Sequence, residues 1–90
     1  MGTALIKIKI MPSSPEEDLE PIKIKAEELI KKGKGKEITF KEEPIAFGLK
    51  AIIVGFSLDE DYELESIEEK IKKINGVNSV QVIDMRRAFG

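Results

Sequence analysis

Between Leu49 and Leu58 the chain reads LKAIIVGFSL, apolar at odd and even positions alike. A strand with one buried face alternates apolar and polar residues, so a run without alternation belongs at the centre of a sheet, covered on both faces or nearly so. Such a strand needs neighbours. Ile6, Ile8 and Ile10 alternate with Lys7 and Lys9, giving a first strand over about residues 3 to 11 with one apolar face. Ile38 and Phe40 alternate with polar or charged neighbours in a second strand that continues toward Pro44. Val77, Val80 and Val82 open a fourth strand that runs to about Met85 and leaves RRAFG as a short tail.

Helical signals fill the two long gaps. A capping box at Ser14-Pro15-Glu16-Glu17 would place Pro21 inside a helix, at a cost of about 3 kcal/mol. With Asp18 as N-cap, Pro21 falls at the third helical position, where its missing N–H is not needed. Ile22, Ala26, Leu29 and Ile30 then recur at i, i+4, i+7 and i+8 along one face. KKGKGK ends this helix, with lysines in the last turn and Gly33 as a left-handed cap. DEDYE begins a second helix whose buried face is marked by Leu64, Ile67, Ile71 and Ile74, and Asn75-Gly76 ends it. The order βαββαβ predicts one ferredoxin-like domain over residues 1–90: a four-stranded antiparallel sheet, first and third strands central, both helices on one face. Ile6, Ile8, Ile10, Leu29, Ile67, Ile71 and Val82 join the core with either Ile52 or Ile53, since both parities of the third strand are apolar. The fold leaves function open.

Composition narrows the chemistry. Charged residues make up 36% of the 90, yet lysines and glutamates are interspersed and the net charge is −2, without the basic excess usual in nucleic-acid binders. There is no Cys, His or Trp. That leaves no zinc site, thiol nucleophile, imidazole base or disulfide, and it fits a cytoplasmic setting. No cofactor is expected. Abundant Lys and Glu with few amide side chains is the pattern of hyperthermophile proteins. No apolar run approaches the roughly 20 residues of a membrane span, and the opening MGTALIKIKIM reads as a strand rather than a leader.

Most candidate motifs have ordinary readings. GKGK at 33–36 follows a helix and precedes a strand, the reverse of a phosphate-binding loop. The acidic pairs Glu16-Glu17, Glu27-Glu28 and Glu68-Glu69 read as solvated faces and i,i+4 partners of lysines. DEDYE lacks the glycine and distal glutamate of a calcium loop. Pro44-Ile45-Ala46-Phe47-Gly48, preceded by Glu42-Glu43, is different. Pro44 biases Glu43 to extended geometry and Gly48 permits a sharp bend. Together they mount Phe47 on a rigid corner at the end of the sheet. Phe47 there is either a plug closing the core or an exposed aromatic anchor, a residue type enriched at binding hot spots. The mount favours the anchor. Phe89 poses the same choice.

EEPIAFGLKAI, MPSSPEEDLE and INGVNSVQVIDMRR together resemble the archaeal elongation factor 1-beta family, a likeness that runs through essentially the whole chain and is most specific at PIAFG. It implies a guanine-nucleotide exchange factor, not an enzyme, that binds the nucleotide domain of the elongation factor 1-alpha GTPase and speeds GDP release. It also implies that Pro44, Ile45, Ala46, Phe47 and Gly48 contact that partner, Phe47 packing near the nucleotide, with no direct nucleic acid and no membrane. In eukaryotic relatives a lysine near the C-terminus reaches the magnesium site. An ungapped match puts Gly90 there, leaving Arg86 and Arg87 as nearby cations.

Other functions share this element order. A single-stranded RNA module needs aromatics on its central strands, and LIKIKIM has none. An acylphosphatase-like enzyme needs an arginine cradle after the first strand, and MPSSPEED holds no arginine. A metal carrier needs a Cys-x-x-Cys motif.

Overall fold

Along the first strand every even-numbered side chain from Ile6 to Ile10 is buried, and the odd-numbered ones face outward. The computed structural model describes residues 2–89, Phe89 by its backbone alone. Its elements are β1 (Thr3–Pro12), α1 (Leu19–Lys32), β2 (Lys36–Pro44), β3 (Lys50–Asp59), α2 (Leu64–Lys72) and β4 (Val77–Phe89). The strands form one antiparallel sheet in the order β2-β3-β1-β4, so β1 and β3 are the central pair, as the ferredoxin-like reading requires.

Register settles the parity of β3. Ile10 faces Ile52, Ile8 faces Val54 and Ile6 faces Phe56, and directly opposed residues share a face. Ile52, Val54, Phe56 and Leu58 therefore pack with Ile22, Ala26, Ile30, Ile67 and Ile71 of the helices in one core. Leu29 and Val82 are only half-buried against it. Ile53 lies on the other face, left uncovered by the helices, yet Ala51 and Ser57 are buried there and Ile53 and Gly55 half-buried, so β3 is nearly covered on both faces as its composition predicts. That face stays tolerable because the other positions of β3 are small: Ala51, Gly55 and Ser57.

Asp18 caps α1, its Oδ1 accepting from the Glu20 N–H at 3.1 Å. The other end of α1 departs from expectation. Gly33 has φ −81° and Lys34 is the left-handed residue at φ 75°. The Lys34 N–H donates to Lys31 and that of Gly35 to Ile30, closing the last turn in the Schellman manner. Gly33 is required for another reason: a Cβ there would lie 2.6 Å from the Ile67 side chain, where the two helices meet. DEDYE forms the turn before α2 rather than its first turn, the Asp59 carboxylate accepting from the Asp61 N–H at 2.9 Å.

The terminal segment is the largest correction. Arg86 pairs with Leu5, Arg87 with Ala4 and Phe89 with Thr3, so the expected tail continues β4 to Phe89.

Candidate partner-binding site

The connection from β2 to β3 is closed by its own backbone. The Ile45 N–H donates to the Leu49 carbonyl at 2.7 Å, and the Leu49 N–H donates to Ala46 at 3.3 Å. Within this loop Phe47 (φ 62°) and Gly48 (φ 79°) are consecutive left-handed residues. Glycine adopts that conformation freely, but for a bulky aromatic it is an outlier that costs on the order of 1–3 kcal/mol and persists only where surroundings impose it. The Phe47 side chain is 94% exposed, so it is not a core plug. Burial of the ring cannot be what offsets the strain.

Neighbouring segments hold the corner. Pro15 stands beside Gly48, at ordinary van der Waals distance from where a Cβ would project. Pro15 belongs to the β1–α1 loop, and that loop is tied to the α2–β4 turn by the Ser13 N–H, which donates to the Gly76 carbonyl at 2.8 Å. Just before Pro44, Glu42 accepts from the Lys23 ammonium of α1 at 2.7 Å. That hydrogen bond holds the Glu42 carboxyl below its ordinary value and raises Lys23. Glu42 is thus a brace between α1 and β2. Pro44, Ala46 and Gly48 are exposed, and Ile45 is half-buried.

Arg86 and Arg87 lie elsewhere. Pro44 pairs with Lys50 at the end of the sheet where β1 finishes at Pro12, whereas the arginines pair with Leu5 and Ala4 near where β1 starts. Eight residues of strand, roughly 26 Å, separate those levels. The arginines also differ from one another. Arg87 forks onto Glu60 with Nε and Nη2 at 2.8 and 3.2 Å, securing β4 to the β3–α2 turn. Arg86 stays exposed on the uncovered face, its Nε 3.2 Å from the Asp84 carboxylate. Gly90, the position matching the eukaryotic lysine, lies outside the described residues, as does the Phe89 side chain.

The left-handed geometry of Phe47 and the Arg87–Glu60 fork were not read from the sequence. Pro44 and Gly48 signalled a bend without saying which residue takes the unusual dihedral. Nothing local links residues 60 and 87. Among the described residues no three His, Cys, Asp or Glu side chains gather as a metal site, and no helix is long and apolar enough to cross a membrane.

Known proteins share this sequence closely. The profile of the EF-1 guanine nucleotide exchange domain matches residues 5–88. Elongation factor 1-beta of Methanosarcina barkeri is 46% identical over 88 residues, covering 97% of this chain and 99% of the relative. The protein of that name from Methanothermobacter thermautotrophicus is 41% identical over 91 residues, covering 97% and 98%. The one from Methanococcus maripaludis is 34% identical over 86 residues, covering 94% and 97%. Similarity that spans the sheet, both helices and the Phe47 corner alike is similarity of the whole domain, and the chain belongs to the EF-1 guanine nucleotide exchange domain family.

Proposed function

We propose that this chain promotes GDP release and GTP reloading on the elongation factor 1-alpha GTPase during translation elongation, in the cytoplasm and without covalent chemistry of its own. The match of the exchange-domain profile over residues 5–88 carries this reading. The physics is linkage: a partner that binds the nucleotide-free GTPase more tightly than the loaded one must weaken nucleotide binding by the same factor. An aromatic already projected into solvent by a hydrogen-bonded, left-handed corner loses little conformational freedom when it inserts, so more of its contact energy discriminates between the two states. Phe47 is the residue so placed, and Pro44 to Gly48 form its mount. On the single-stranded RNA reading, aromatics would line the uncovered sheet face. β1 and β3 present Leu5, Lys7, Lys9, Met11, Ile53 and Gly55 there, while Phe56 is in the core.

The test is release of labelled GDP from elongation factor 1-alpha with catalytic amounts of this chain. Acceleration that saturates with chain concentration is expected. Unchanged release, together with salt-sensitive binding to single-stranded RNA, would overturn the reading.

A further inference from the structure

The two strands that carry the Phe47 corner are anchored unequally. β3 leaves it with Ala51 and Ile52 fully buried, and it has a ladder on each side, to β1 and to β2. β2 is an edge strand with β3 as its one neighbour in the sheet. None of its nine residues is buried, and only Ile38 and Phe40 reach half-burial. Its ladder is also irregular at the start, where register shifts between Lys36 and Thr39 and Glu37 sits in the left-handed region at φ 55°. A strand with so few buried apolar contacts moves against its neighbour at low cost. Yet it ends at Pro44, on the last rung before a corner whose strained Phe47 persists only while its surroundings impose it.

One side chain outside the sheet compensates. Glu42 pairs with Ile52, a core residue, so its carboxylate is on the helix side of β2. There the Lys23 ammonium of α1 meets it at 2.7 Å. The Lys23 side chain is only 20% exposed, and Glu20, one turn earlier, accepts from the same ammonium at 3.3 Å. With the stem packed and the ammonium held from two directions, little conformational freedom is left for the pair to lose. Among the described residues this is the one ion pair that joins β2 to a helix. It falls two residues before Pro44, where a twist of β2 would tilt the corner.

We propose that Lys23 is a positioning residue for nucleotide exchange: acting through Glu42, it fixes β2 against α1 and so aims Phe47 at the GTPase, which Lys23 itself does not touch. This rests on the exchange reading above. A wedge mounted on one firm and one loose strand would lose part of its contact energy to ordering the corner. The Lys23–Glu42 pair supplies that order before the partner arrives.

Labelled-GDP release with the full chain tests it. Lys23→Met, which keeps the apolar stem, should lower kcat/KM roughly three- to fivefold, the scale of a well-oriented ion pair. Lys23→Arg should restore most of that loss. Glu42→Ala should match Lys23→Met, and the double variant should be no worse than either, because both break one contact. In the Phe47→Ala background, Lys23→Met should cost nothing further. Amide hydrogen exchange gives a readout without the GTPase. Ile45 and Leu49, whose N–H groups close the corner, should lose protection in Lys23→Met while Ile8 and Val54 of the core keep theirs. Parental kcat/KM, an additive loss on top of Glu42→Ala or Phe47→Ala, or unchanged protection at Ile45 and Leu49 overturns the proposal. If Lys23→Met matches the parent while Phe47→Ala is impaired, the exchange reading survives alone. If the unmutated chain does not accelerate GDP release, that reading and the kinetic role of Lys23 fall together.

Discussion

Replacing Phe47 separates stability from function. The ring is 94% exposed, so Phe47→Ala deletes almost no buried surface and opens no cavity. Alanine inherits the left-handed backbone. Phe47→Gly relieves a strain of about 1–2 kcal/mol but adds roughly 0.5–1 kcal/mol of backbone entropy to the unfolded chain. Both variants should therefore stay within about 1 kcal/mol of the parent, a shift in Tm of about 4–8 °C at most for a domain of this size. A buried phenylalanine would cost about 3–5 kcal/mol, or at least about 12 °C. An aromatic at the heart of an interface contributes about 2 kcal/mol or more, so the kcat/KM of GDP release should fall roughly 30-fold. Thermal melts monitored by circular dichroism and labelled-GDP release give the two numbers on the same samples. A variant that melts like the parent and retains full exchange activity would remove Phe47 from the mechanism. A loss of more than about 10 °C would refute its exposure.

Gly33→Ala should destabilise by about 1–3 kcal/mol because its Cβ meets Ile67, whereas Lys34→Gly should be neutral or stabilising by up to about 1 kcal/mol; urea titrations check both, and the opposite order would refute the cap geometry. Since Lys23 lowers the Glu42 carboxyl in the folded state, that brace supports the fold above the ordinary carboxylate range and is lost as pH falls through the lowered value. Glu42→Gln should thus melt slightly below the parent at neutral pH, with the gap closing in acid; a gap that persists to about pH 2 counts against it. Deleting Arg86 to Gly90 removes the pairing of β4 with Leu5, Ala4 and Thr3 and the fork to Glu60, so Tm should drop by several degrees, and an unchanged Tm would show that this pairing contributes nothing.

Element order and the central pair were legible because periods of two and 3.6 are written directly in Ile6-Ile8-Ile10 and in Ile67-Ile71. Asp18 was legible as a cap because Pro21 excludes the alternative. The β3 parity was not, because Ile52 and Ile53 are equally apolar and only pairing with Ile10 distinguishes them. The end of β4 was misread because Arg86 and Arg87 look like a solvated tail. Their strand character comes from Leu5 and Ala4, some eighty residues earlier. At the corner, composition announced a bend and an aromatic. The assignment of positive φ to Phe47 emerges only from the closure between Ile45 and Leu49.

The placement of β1 between β3 and β4 has a consequence for how the protein is made. Of the six elements β1 is made before the others, yet its two sheet partners are β3, half a chain later, and β4, the last of the six. Pairings of such sequence separation close slowly, because the loop must be ordered before the contacts reward it. Throughout synthesis, then, an alternating isoleucine strand waits with both hydrogen-bonding edges open, the arrangement most apt to zip onto another nascent chain. Lys7 and Lys9, interleaved with Ile6, Ile8 and Ile10, put charge on one side of that strand, so two copies that pair edge to edge with their isoleucines on one face bring their lysines together on the other. Replacing both with threonine would spare the folded core and should raise the fraction that aggregates during translation.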